Sequence, residues 1–91
     1  RYDVVLIDCP PSLDELTRNA LAAADRALVV TEPGSFALQG TARALAAIDV
    51  ARDAFNLRLR PAGILVNRVR DSREYRRHLE QLRLDYPDLL L

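Results

Sequence analysis

Val4-Val5-Leu6-Ile7-Asp8 is an unbroken apolar run closed by a carboxylate. Two later runs have the same form: Ala27-Leu28-Val29-Val30 leads into Thr31-Glu32, and Ile64-Leu65-Val66 leads into Asn67. Runs that do not alternate with polar residues suit strands buried on both faces, as in a parallel sheet. The stretches between them are helical in pattern. Ser12-Leu13-Asp14-Glu15 is a capping-box signature, with the serine capping and the glutamate reaching back. Leu13, Leu16, Ala20 and Ala24 would then share one face. A second helix is expected from about Leu38 to Ala54, presenting Leu38, Ala42, Leu45 and Ile48, with Phe55 beyond its end. Pro33-Gly34 separates it from the second run, and Pro61 closes the loop after it. A third helix should follow Asp71 or Ser72, with Glu74 completing a capping box on Asp71 and with Tyr75, Leu79 and Leu82 on its buried face. Pro87 would end it, and Leu89-Leu90-Leu91 would open a further strand. The order βαβαβα predicts an α/β parallel sheet with flanking helices, part of a doubly wound layer with right-handed crossovers.

The 91 residues allow one small domain, expected here to be a single partial one over 1–91 whose outer strands come from elsewhere. At 49% hydrophobic, with 13 basic against 13 acidic residues, the chain is not of a disordered type. No apolar run approaches the ~18 residues of a membrane span. One cysteine cannot make an internal disulfide, and a reducing compartment is expected. The chain opens on Arg1 rather than Met, so a longer parent is expected. All 13 basic residues are arginines. A Walker A loop, which needs a lysine, is therefore absent from these residues, and Gly34, Gly40 and Gly63 are too scattered to make a phosphate cradle.

In open α/β sheets, ligands bind beyond the carboxyl ends of the strands. That rule selects Asp8, Thr31 with Glu32, and Asn67, which should converge on one edge. A carboxylate ending a buried strand suits a Mg²⁺–nucleotide site, because Mg²⁺ keeps several waters and needs few protein ligands. The asparagine offers a paired donor and acceptor for the edge of a base such as adenine. Each has a plainer reading too, as a turn cap or a strand-end residue. Cys9 has no histidine or acid patterned to activate it. His78 has no ligand partner at metal spacing and reads as a solvated helix residue.

Tyr2-Asp3-Val4-Val5-Leu6-Ile7 followed by Asp8-Cys9-Pro10-Pro11-Ser12-Leu13 strongly resembles the Walker B and switch II segment of ParA-type partition ATPases, the deviant P-loop family that includes MinD. The resemblance continues through Leu16-Thr17-Arg18-Asn19-Ala20-Leu21, Ala24-Asp25, Phe36-Ala37-Leu38-Gln39-Gly40 and Gly63-Ile64-Leu65-Val66-Asn67-Arg68. It implies a P-loop NTPase fold, with Asp8 as the Walker B carboxylate near Mg²⁺. It also implies Cys9, Pro10 and Pro11 as switch II, Asn67 as the adenine contact, and ATP with Mg²⁺ as cofactors of the full-length parent. Pro11 has no N–H to give a γ-phosphate, which disfavours a Ras-like Asp-x-x-Gly switch and predicts a stiff one.

After the third run, Arg68, Arg70, Arg73, Arg76, Arg77 and Arg83 crowd together. On a helix, Arg73, Arg76 and Arg77 would form a basic stripe opposite Tyr75, Leu79 and Leu82. Such a stripe can contact DNA phosphates without reading sequence; a solvated face, diluted by Glu74, Glu80 and Asp85, is the alternative. The resemblance implies an ATP-dependent homodimer, a ParB-like partner, non-specific DNA, and a cytoplasmic, nucleoid-associated location without membrane attachment. Two function classes follow: the Walker B and adenine-contacting part of a partition ATPase acting in chromosome or plasmid segregation, or a catalytically silent α/β module acting through protein or DNA contacts. A Mrp-like iron–sulfur carrier is disfavoured by the single cysteine. The 91 residues alone are expected to hydrolyse no ATP.

Overall fold

The computed structural model describes residues 2–9, 14–32, 37–67 and 73–91. Pro10, Pro11, the expected cap Ser12, Arg68, Arg70 and Asp71 lie outside them. The element order is α1 (Glu15–Ala23), β1 (Arg26–Thr31), α2 (Ala37–Ala54), β2 (Arg60–Val66) and α3 (Arg73–Asp85). β1 and β2 pair in parallel, from Arg26↔Arg60 to Thr31↔Val66. The register shifts after Ala27, so Ala62 is an extra residue on β2. This is the parallel sheet with flanking helices that the continuous apolar runs predict.

On the far side of β2 the chain's end adds a rudimentary third strand. Leu90 bridges Ile64 in parallel; Ile64 N–H donates to Leu89 O at 2.7 Å and Leu91 N–H donates to Ile64 O at 3.0 Å. The expected strand at Leu89–Leu91 is therefore present as a bridge. Gly63 makes room for it. Its φ is +151°, and a Cβ there would stand 2.8 Å from Leu91 Cγ and Cδ2 and 2.9 Å from Leu89 O. Only glycine tolerates both the backbone and the approach.

The expected strand at Val4–Ile7 does not form. Residues 2–9 lie outside any strand, with Val4 74% and Leu6 90% exposed. Among the described residues β2 takes β1 on one side and Leu90 on the other, the outer edge of β1 is left open, and nothing pairs with residues 4–7. An extended segment without a ladder partner keeps its N–H and C=O groups in water and gains no burial.

The core is Val29, Ile48, Ala51, Leu59, Ile64 and Leu82, with Leu21, Leu45, Val66, Tyr86 and Leu89 packed against it. One face of the strand pair is covered; Leu28, Val30 and Leu65 on the other remain exposed. The helix faces are rotated from the expected ones. In α1, Leu16 is 72% exposed while Thr17 is 6% exposed. The cap is Asp14, whose Oδ1 accepts from Thr17 N–H at 3.1 Å. In α2 the buried line is Thr41, Ile48 and Ala51; Ala42 and Phe55 are exposed. In α3, Leu82 is buried and Tyr75 and Leu79 half-buried, as expected.

His78 corrects the expectation of a solvated residue. It is 6% exposed, and its Nε2 is buried without a hydrogen-bond partner. It lies three residues after Tyr75 and four before Leu82, on the apolar face rather than beside the arginines. Burial holds its imidazole below the usual histidine range, and Glu74, one turn earlier, opposes that shift.

Candidate functional site

Because β1 and β2 are parallel, their carboxyl ends share one edge. Asn67 follows β2 and is tied there: its N–H donates to Thr31 O at 2.8 Å. Its Nδ2 donates to Glu32 Oε1 at 3.4 Å. Thr31 is buried, while Glu32 and Asn67 are exposed. The edge thus presents a carboxylate beside a carboxamide whose Oδ1 accepts no hydrogen bond among the described residues. Thr31, Glu32 and Asn67 converge as the strand-end rule predicts.

Asp8 is not brought to this edge on a strand; it lies in the exposed segment 2–9. Cys9 is exposed and free, its Sγ 3.8 Å from Ile7 O. Among the described residues, no three His, Cys, Asp or Glu side chains cluster to hold a metal. A divalent ion here would take most of its oxygens from water and nucleotide, which suits Mg²⁺. By donor chemistry alone, the exposed carboxylates of Glu32 at the edge and Asp8 in segment 2–9 are hard oxygen donors of the kind that ion takes, although no contact among the described residues joins the two.

Arg73, Arg76 and Arg77 are exposed on α3, as the basic stripe requires. An apolar groove of about 170 Å³ between α1 and α2, lined by Leu21, Val50, Ala51 and Phe55 among others, shares no residue with the strand-end edge. No helix among the described residues is long and apolar enough to cross a membrane.

Sequence reading missed Asn56. It is buried, and its Nδ2 donates to Ala24 O at 2.6 Å and Leu21 O at 3.2 Å, while its Oδ1 accepts from Arg58 N–H at 3.2 Å. It locks the end of α1 to the turn before β2 and so sets how β1 and β2 start. No local pattern marks it, since its acceptors lie more than thirty residues away.

A family profile described as an AAA domain matches residues 1–61. The chain belongs to that family, whose P-loop NTPase α/β fold fits the parallel strands and flanking helices. Within it the chain is of ParA type. It is 51% identical over 65 residues to the chromosome-partitioning ATPase Soj of Thermus thermophilus, covering 71% of this chain and 26% of that protein. It is 44% identical over 72 residues to the chromosome partitioning protein ParA of Myxococcus xanthus, covering 79% and 25%. The ParA of Caulobacter vibrioides is 43% identical over 65 residues, covering 71% and 24%. The chain spans about a quarter of the length of these relatives.

Proposed function

We propose that residues 1–91 are the Walker B, switch II and adenine-contacting part of an ATP-dependent partition ATPase. Its reaction is hydrolysis of ATP to ADP and phosphate. It acts with a ParB-like partner and non-specific DNA, as an ATP-dependent homodimer at the nucleoid. In this reading Asp8 holds the water shell of Mg²⁺, Cys9-Pro10-Pro11 sense the γ-phosphate as a stiff turn, and Asn67 holds the adenine edge. Arg73, Arg76 and Arg77 face DNA phosphates. The Mg²⁺–ATP complex supplies the electrophilic phosphorus and the charge neutralisation. The phosphate-binding lysine comes from outside these residues, which contain none.

The observation that supports this reading most is the parallel pairing that puts Asn67, Glu32 and Thr31 on one edge. The likeness to Soj and ParA supplies the rest. The test is a chimera in which this chain replaces the matching segment of the Thermus thermophilus Soj. Asp8→Asn should abolish hydrolysis by the chimera, and Asn67→Ala should weaken MgATP binding about tenfold, the equivalent of one lost paired contact. Hydrolysis that survives Asp8→Asn would overturn the role given to Asp8, whereas a chimera that hydrolyses no ATP even with Asp8 in place would favour a catalytically silent module, which the lack of lysine favours for the 91 residues alone.

A further inference from the structure

β1 and β2 begin on arginines that face each other in register, Arg26↔Arg60. Neighbouring strands lie about 4.8 Å apart, and like charges directly opposite are destabilising. Among the described residues neither guanidinium forms a salt bridge with an acid. Arg26 Nη1 donates to Asp25 O at 2.9 Å, and Arg60 Nη1 donates to Leu57 O at 3.0 Å and Leu59 O at 2.8 Å. Arg58, two residues before Arg60, is exposed as well. Among the described residues none of the three joins an ion pair. Asp25 is the one acid adjoining them in sequence, and the contacts it makes there are through its carbonyl. This edge is the amino end of the parallel pair, about 20 Å from the Asn67 edge at the rise of a six-residue strand.

We infer that the amino edge of the sheet, Arg26, Arg58 and Arg60, is a binding surface for the phosphodiester backbone of a nucleic acid, separate from the α3 stripe. Two of the guanidiniums are already held in place by backbone carbonyls, so little side-chain freedom remains to be lost on binding. Their remaining donors keep the planar fork that meets a phosphate bidentately. Arg26 and Arg60 open two paired strands, and Arg58 lies in the turn two residues before β2. A phosphodiester chain offers permanently ionised groups at regular spacing to all three. A peptide would have to gather several carboxylates against their own repulsion to do the same.

The test is fluorescence anisotropy of the 91-residue chain with a mixed-sequence DNA duplex over a salt titration. Each lost phosphate contact flattens the log–log salt slope by about 0.9. The triple variant R26Q/R58Q/R60Q should therefore flatten it by about 2–3. Arg58→Gln, which breaks no side-chain bond in the fold, should flatten it by about 0.9 on its own. R73Q/R76Q/R77Q is a separate arm, and the effect of the edge variants should persist in that background. An unchanged slope in both edge variants would overturn the inference, as would no binding at low salt. Polyglutamate competing as well as DNA would overturn it too, and would point to an acidic protein partner.

Discussion

The carboxamide of Asn67 reaches Glu32 across the carboxyl ends of two parallel strands, thirty-five residues away in sequence, at 3.4 Å. Both groups are exposed, and a long, solvated hydrogen bond contributes little to folding. Asn67→Ala should therefore change unfolding free energy by no more than about 0.5 kcal/mol in urea titration. A site residue with no structural duty is expected to behave this way. A large loss would reassign Asn67 to the architecture.

Asn56 should behave in the opposite way. Its three hydrogen bonds are part-buried, and two satisfy the carbonyls of Leu21 and Ala24 at the end of α1. Asn56→Ala leaves those carbonyls and the Arg58 N–H without their partner, a loss of about 2–3 kcal/mol. The check is the urea midpoint together with the amide exchange of Ala24 and Arg58, which should accelerate. Asn56→Asp should not restore the midpoint, because a carboxylate cannot donate to either carbonyl.

Much of the fold is legible because apolar continuity and helix period act locally. The span expected for the second helix, Leu38–Ala54, differs from α2 by one residue, and Leu89–Leu91 meets β2 as its composition suggests. What is not legible depends on partners distant in sequence. Val4–Ile7 has every local property of a buried strand, yet a strand exists only where a ladder exists. The turn of α1 that buries Thr17 in place of Leu16 depends on which neighbour α1 meets, here the groove side of α2. His78 could have been placed, since its spacing to Tyr75 and Leu82 is that of one helix face; reading it by polarity alone put it in solvent. At the site, strand ends identify Thr31, Glu32 and Asn67, whereas Asp8 depends on the strand that does not form.

That correction predicts a near-silent substitution. Leu6 is 90% exposed, so Leu6→Ser removes no buried surface and should shift stability of the 91-residue chain by less than about 0.5 kcal/mol. A buried strand leucine would cost several times more. Leu82→Ala, at a fully buried position, serves as the comparison and should cost about 2–5 kcal/mol in the same urea experiment.

Gly63→Ala should release the end of the chain from β2. The added methyl meets Leu91 Cγ and Cδ2 at 2.8 Å and Leu89 O at 2.9 Å, at a φ of +151° that alanine adopts only under strain. Exchange of the Ile64 and Leu91 amides, which bond across this seam, should rise sharply, with a stability loss of about 1–3 kcal/mol. Shortening the opposing side chain with Leu91→Ala in the same molecule should return part of the loss, because the side-chain clash disappears while the backbone strain and the contact with Leu89 O remain.

His78 makes stability depend on pH. Its imidazole is buried with Nε2 unpartnered, and desolvation keeps its affinity for a proton below that of the unfolded chain, against the pull of Glu74. As pH falls through about 6.5, the unfolded chain takes up this proton before the native chain does. Stability contributed by the neutral ring is therefore full above that pH and declines as the medium becomes more acidic. Urea midpoints should fall between neutral and mildly acidic pH, above the range where carboxylates titrate. His78→Gln, which carries no titrating group, should flatten that slope whatever its own cost. Glu74→Gln removes the charge that favours the protonated ring and should steepen it. A slope that survives His78→Gln unchanged would place the pH dependence on another group.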